Sequence, residues 1–167
     1  MLRNLAFTFG SRDVLKQFIA EHPDRKLILL ASSTGDDQGL QLIDASDQPS
    51  LFSAGLDYQV RLHQGTTDWK GFYSFSYFKF DPHTAEAFEA KTTRLASNLL
   101  PHGMKALYVM TKQHDSGSYS LLTIWEDSQA YSLWRNSPEF TPLNIYATSA
   151  NHYHTASYHR IALTKTK

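Results

Sequence analysis

Apolar residues recur with strand or helix spacing along most of the 167-residue chain, and the pattern predicts two successive units. The first unit begins with the apolar run LAFTFG at residues 5–10. A segment with apolar residues at helical spacing follows, from Ser11, a residue type that often caps helices, to His22. Two further apolar runs, KLILLASS and LQLIDAS, flank the turn-rich TGDDQG. The first third is therefore predicted to fold as β-α-β-β.

Residues 46–70 are polar and contain glycine, and their pattern assigns no element. A second unit begins at Gly71, where FYSFSYFKF places Phe72, Ser74, Ser76, Phe78 and Phe80 on one strand face. Asp81 followed by Pro82 is typical of a helix start, and Ala85, Phe88, Leu95 and Leu99 form its apolar stripe. Two strands (KALYVMTKQ and SYSLLTIWE), a short helix (DSQAYSLWRNS) and a last strand (SYHRIAL) follow.

This element order, β-α-β-β-α-β, is that of the ferredoxin-like split βαβ fold, so the predicted fold class is α+β. Residues 71–163 are expected to form an antiparallel sheet with helices 82–99 and 128–136 on one face. The predicted division is an N-terminal extension or degenerate repeat, residues 1–65, and a ferredoxin-like domain, residues 70–167. The first unit lacks a second helix and is expected to extend the sheet or pair with it.

Composition and charge exclude several classes of function and binding site. Lysine plus arginine and aspartate plus glutamate number 16 each, so no summed field favours nucleic acid, which we set aside as a partner. The chain has no cysteine, which excludes disulfides and thiolate metal sites and fits a reducing compartment. No apolar run is long enough to span a membrane. A soluble cytoplasmic protein is the simplest hypothesis.

Two tryptophans stand nine residues apart across the junction between the SYSLLTIWE strand and the following helix. Trp125, which shares a strand face with Leu121 and Thr123, is expected to be a structural core residue. Trp134 lies with Tyr131 on one face of the short helix and could cover a cleft between helices and sheet. Phe78, Phe80, Phe88 and Phe140 are either core residues or the lining of that cleft.

Three stretches together resemble the antibiotic biosynthesis monooxygenase (ABM) domain of the dimeric α+β barrel superfamily. They are TAEAFEAKTTRLASNL, SYSLLTIWED and SQAYSLWRNSPEF, and the resemblance covers about residues 70–140. Within that superfamily, the chain length and the preceding β-α-β-β unit most resemble a subgroup of heme-degrading monooxygenases (the HmoB and IsdG kind) and TRAP-type signalling proteins. The resemblance implies a ferredoxin-like fold, a pocket between helices and sheet, and heme as a cofactor.

Heme-degrading members of this family use a strand asparagine, a helix tryptophan, and a histidine ten residues after that tryptophan as the iron ligand. By this resemblance Trp134 matches the tryptophan, Ser76 stands at the asparagine position, and Asn144 at the histidine position. An amide cannot supply the nitrogen that heme iron needs. The implied site consists of Trp134 and Ser76 as catalytic residues and Asn144, Phe78, Phe140 and His154 as cofactor-binding residues.

The tail histidines offer an alternative iron or metal ligand. His152 and His154 would point to the same side of an extended chain, and His159 would share a face with Ile161 and Leu163. Zinc sites need three or four converging ligands, so a pair alone is weak evidence. Solvent-exposed tail histidines, with one packed at a sheet edge, are the competing interpretation.

Three functions remain open. The first is a heme-binding and heme-degrading monooxygenase with an altered site, expected to bind heme weakly. The second is a TRAP-like signalling or stress protein that acts through partners. The third is an ABM-type oxygenase that oxidises a small aromatic molecule without heme. The resemblance also implies a homodimer, unless the N-terminal third takes the partner's place within one chain.

Overall fold

The computed structural model describes residues 2–34 and 40–162, which form eight strands, four helices and two single-turn 3-10 helices. The first half contains β1 (Asn4–Gly10), α1 (Arg12–Glu21), β2 (Leu27–Ser32), β3 (Leu40–Asp44) and β4 (Leu56–Gly65). The second half contains β5 (Phe72–Lys79), α2 (Pro82–Ser97), β6 (Met104–Lys112), β7 (Ser118–Trp125), α3 (Ser128–Arg135), α4 (Thr141–Asn144) and β8 (His154–Arg160). The 3-10 helices are Pro138–Phe140 and Ser149–Asn151. Within these residues, none of the helices has the length and apolar character needed to cross a bilayer.

The eight strands close into one antiparallel barrel in the order β1-β3-β2-β8-β5-β7-β6-β4. Within the second half the order is β8-β5-β7-β6, and within the first half it is β4-β1-β3-β2, so both halves have the ferredoxin-like order. The predicted α+β fold with an antiparallel ferredoxin-like sheet is confirmed. The last strand begins at His154, earlier than predicted, and the predicted end at Leu163 lies outside the described residues.

The two halves join at both edges of their sheets, through β2 with β8 and β4 with β6. The N-terminal half therefore occupies the place that a second copy takes in a dimeric barrel. Of the two outcomes considered from the sequence, a sheet-to-sheet homodimer or pairing within one chain, the structure has the second. Both edges of each sheet are paired inside a single chain, so among the strands that the structure describes no sheet edge remains for another copy.

Strand β4 lies in the stretch to which the sequence pattern assigned no element. Its register on β6 shifts between Val60 and Leu62. Tyr58 and Val60 consequently face the barrel interior, whereas Leu62 packs against the helix-covered side of the second half. A bulge of this kind breaks the two-residue alternation that reveals a strand in a sequence.

Helix boundaries follow their capping residues. The side chains of Ser11, Asp81 and Asp127 accept hydrogen bonds from the backbone N–H groups three residues later, as capping of α1, α2 and α3 requires. The predicted stripe on α2 is correct for Ala85 and Phe88 and wrong for Leu99, which is 97% exposed. Because α2 ends at Ser97, Thr92 and Ala96 are the residues that continue the buried face.

The barrel interior is packed with apolar and aromatic side chains, and one end is closed by Trp69. This residue, 2% exposed, stacks on Tyr108 with ring centroids 4.9 Å apart. The Tyr73 hydroxyl donates to the Trp69 carbonyl oxygen at 2.5 Å, and Arg160 donates to the same oxygen at 3.0 Å. The loop between β4 and β5 is thereby fixed across that end.

We expect Tyr108→Phe to stabilise the protein at pH 7 by about 1 kcal/mol, because the Tyr108 hydroxyl is buried without a hydrogen-bond partner among the described residues. Burial raises the pKa of Tyr108 to about 12. Unfolded tyrosine ionises near pH 10, so the free energy of unfolding of the wild type should fall as the pH rises from about 10 to 12, because ionisation over that range favours the unfolded chain.

Urea unfolding of both proteins at pH 7 and pH 11 measures the effect. The Tyr108→Phe variant should lose less stability between the two pH values than the wild type. Equal losses would contradict the assignment of this alkaline sensitivity to Tyr108.

Candidate functional site

Part of the predicted site lies on the face of β5 that is covered by α2, α3 and α4. The predicted alternation is confirmed, since Phe72, Phe78 and Phe80 pack on the helix side whereas Tyr73 and Phe75 face the barrel interior. Ser76, 8% exposed, is on the same strand face as Phe78. The structure thus brings Ser76, Phe78, Trp134 and Phe140 to one side of the sheet.

Trp125 fills the centre of this aromatic cluster. It is fully buried, and its indole N–H donates to the Thr123 hydroxyl at 2.8 Å. Its ring packs against Trp134 with centroids 5.3 Å apart. Trp125 is therefore fully packed and its N–H is hydrogen-bonded, which agrees with the structural role expected from the sequence.

Trp134 differs from Trp125 in one respect. It is 5% exposed and contacts Phe140 edge-on at 4.8 Å, yet its indole N–H has no hydrogen-bond partner within the described residues. Such a buried donor costs about 1–3 kcal/mol when left unpaired. Trp134 consequently holds an unused donor in an aromatic environment.

A chain of contacts closes the gap between α3 and β5. The Arg135 guanidinium lies over the Phe140 ring at 4.3 Å and donates to the Tyr153 hydroxyl at 2.8 Å. The Tyr153 ring in turn packs on Phe78 with centroids 5.3 Å apart. This Arg135 clamp holds the segment after α3 against the sheet, so the cluster is filled by its own side chains.

A cavity of about 160 Å³ adjoins Trp134 on the outer side of α3. Its walls are Pro101, His102, Ala130, Leu133, Trp134, Ser137 and Glu139. His102 and Glu139 were not predicted as site residues, because they come from separate loops with no common motif. They place an imidazole and a carboxylate beside the aromatic wall.

Asn144 and His154 are not brought to Trp134. Asn144 is exposed, whereas its neighbours Leu143 and Tyr146 point into the aromatic cluster. His154 pairs in register with Tyr77 and stacks on its ring at 4.7 Å, on the barrel-facing side of the sheet. Within residues 2–34 and 40–162, no three His, Asp or Glu side chains converge as a metal site would require.

Comparison with known families decides the assignment of the second half. The family model for antibiotic biosynthesis monooxygenase matches residues 71–142, which span β5 to α4. Residues 71–142 belong to the antibiotic biosynthesis monooxygenase family. The resemblance drawn from about residues 70–140 is confirmed.

Solved structures that are similar to this protein cover nearly the whole length of the chain. A monooxygenase-like protein from Listeria innocua is 15% identical, with a TM-score of 0.78, over 98% of this chain and 96% of that chain. A major regulator of staphylococcal pathogenesis is 18% identical, with a TM-score of 0.78, over 95% and 99%. LmHde, a heme-degrading enzyme from Listeria monocytogenes, is 16% identical, with a TM-score of 0.72, over 93% and 98%. At identities this low, the structural similarity establishes a shared fold alone.

The residues of this protein do not fit a heme in the position implied by the family. Heme iron needs an axial ligand from the protein. Asn144, at the ligand position, is exposed. The cavity beside Trp134 measures about 160 Å³, whereas ligand pockets of drug-sized molecules span roughly 300–1,000 Å³.

The two tryptophans should respond differently to replacement by phenylalanine. Trp125→Phe removes a buried hydrogen bond and packing volume, and we expect it to lower the free energy of unfolding by about 2 kcal/mol. Trp134→Phe removes a similar volume but no hydrogen bond, so the expected loss is about 1 kcal/mol. Chemical denaturation of the two variants checks the difference. An equal or larger loss for Trp134→Phe would show that its N–H is paired in solution.

Proposed function

We propose that this protein is an ABM-type monooxygenase that oxidises a small, single-ring phenol in the cavity beside Trp134, without heme. The observation that carries the proposal is the buried N–H of Trp134, which has no partner among the described residues and lies where the aromatic cluster borders the cavity. The cavity beside it, about 160 Å³, is close to the volume of roughly 150 Å³ that admits benzene in an engineered apolar cavity.

Each wall of the cavity has a role in this proposal. The Trp134 ring stacks on the substrate, and Pro101 and Leu133 add apolar contacts to it. His102 accepts the phenolic proton as a general base, and Glu139 lies in the same cavity wall. Ser76, on the helix side of β5, is proposed to support substrate positioning with Trp134 rather than to bind it directly.

The chemistry needs no external reductant when the substrate supplies the electrons. With hydroquinone as a probe, one oxygen atom of O₂ enters the ring and the other leaves as water, and the product is hydroxybenzoquinone. Hydroquinone loses four electrons and O₂ gains four, so the reaction balances. Once the base has removed the phenolic proton, the ring is electron-rich enough to react with O₂.

Heme binding, with slow or no degradation, is a second candidate, which the fold shared with LmHde favours. In that case Phe78, Phe140 and Asn144 or His154 would contact the cofactor, after the Arg135 clamp has opened. A role in signalling through partner proteins and a cytoplasmic location remain predictions.

Oxygen uptake with hydroquinone tests the proposal. The wild type should consume O₂ faster than the protein-free background, and His102→Gln should lower the protein-dependent rate by about 100-fold as a general base is lost. Trp134→Phe should lower it too. His83→Gln, on the exposed first turn of α2, is the matched control and should leave the rate unchanged.

A heme titration separates the alternatives. A Soret shift at micromolar heme that Trp134→Phe weakens would favour the heme candidate over the phenol oxygenase. Oxygen uptake that is absent, or unaffected by both site variants, would contradict the proposal. If heme binding is also absent, the signalling hypothesis gains support.

A further inference from the structure

The end of the barrel opposite Trp69 contains a second cavity, of about 480 Å³. Trp69 closes the end where β4 finishes and β5 begins. The cavity is lined instead by the start of β4, at Tyr58, and by the end of β5, at Tyr77. Its lining residues are all different from those of the cavity beside Trp134.

Aromatic rings form the walls of this barrel-end cavity. The His154 ring stacks on Tyr77 with an interplanar angle of 18°, and Tyr158 meets Phe75 edge-on at 5.6 Å. Ala156 lies between His154 and Tyr158 along β8 and leaves space between the rings. These walls suit a flat apolar molecule.

Three phenol hydroxyls belong to the same cavity, those of Tyr58, Tyr77 and Tyr158. Burial raises the pKa of Tyr77, and the proximity of Tyr158 and Tyr58 raises it further. The three tyrosines line one cavity, and their neutral hydroxyls can donate hydrogen bonds at physiological pH.

Two further polar side chains face the barrel near this end. Ser120 pairs in register with Tyr77, and Gln41 pairs with Phe9, a residue of the cavity rim. Each is 1% exposed, and the Ser120 Oγ and the Gln41 Oε1 have no hydrogen-bond partner in the described part of the chain. Buried polar atoms are rarely left unpaired, so the barrel interior at this end holds unused hydrogen-bonding capacity beneath the residues that line the cavity.

The rim of the cavity carries a net positive charge. Lys79 pairs with Asp115 at 2.6 Å, and its hydrogen bond lowers the pKa of Asp115. Lys112 lies close enough to lower that pKa as well, but forms no ion pair of its own among residues 2–34 and 40–162. One lysine is thus available to an anion at the entrance.

We propose that the barrel-end cavity binds a small aromatic carboxylate, whose ring lies among Tyr77, Tyr158 and His154 and whose carboxylate meets Lys112 and the tyrosine hydroxyls. A volume of about 480 Å³ lies within the range of roughly 300–1,000 Å³ for small-molecule pockets. This site is independent of the phenol oxygenase function proposed at Trp134.

Calorimetric titration with 1-naphthoate, and with its neutral analogue 1-naphthalenemethanol, tests the site. The wild type should bind naphthoate about tenfold more tightly than the alcohol, because only the carboxylate interacts with Lys112. Lys112→Met should abolish that preference, and Tyr77→Phe should weaken naphthoate binding by about three- to tenfold. Lys16→Met, on the exposed face of α1, is the matched control and should bind like the wild type.

Thermal unfolding of each variant shows whether it is folded before binding is compared. Trp134→Phe should bind naphthoate as the wild type does, which separates this site from the proposed oxygenase site. The inference is overturned if the wild type shows no binding at millimolar naphthoate, if Lys112→Met and Tyr77→Phe both bind normally, or if Trp134→Phe alone abolishes binding.

Discussion

The pairing of β2 with β8 and of β4 with β6 is the constraint on which the rest of the molecule depends. A four-stranded sheet has two edges whose N–H and C=O groups need partners. Here the edge strands of each half pair with the edge strands of the other, and the barrel closes within one chain. Closure turns one face of both sheets into a shared core. The two cavities proposed as ligand sites lie outside this core, beside Trp134 on α3 and at the end of the barrel opposite Trp69.

The two ends of the barrel differ because the chain segment that connects the halves crosses only one of them. The chain passes directly from β4 to β5, and Trp69, in the left-handed backbone region with φ 55°, turns its ring inward over the core. Arg160 anchors the carbonyl oxygens of Asp68 and Trp69 at that end. At the opposite end, the side chains that face the interior are tyrosines and a histidine, so polar groups border the apolar core there.

The sequence predicted the second half well, because β5 and α2 follow clean two- and 3.6-residue periods. It did not reveal β4, whose bulge near Arg61 disrupts the alternation. The position of Asn144 was predicted by counting ten residues from Trp134. Such a count fixes a direction only along a continuous helix, but α3 ends at Arg135 and a 3-10 turn changes the phase before α4. The cavity formed by His102 and Glu139 requires tertiary contacts that no local pattern contains.

The aromatic filling of the helix side bears on which ligand this ABM domain accepts. Admitting a porphyrin beside Trp134 would require Phe140 to leave its site and the Arg135 bond to Tyr153 to break. Exposing a buried phenylalanine costs about 1.5–3 kcal/mol, and the hydrogen bond adds roughly 0.5–1.5 kcal/mol. An iron–histidine bond could offset this cost, but the implied ligand position holds an exposed asparagine. A single aromatic ring needs no such rearrangement, because the cavity beside Trp134 is already open to it. The clamp therefore selects against large planar ligands and in favour of small ones.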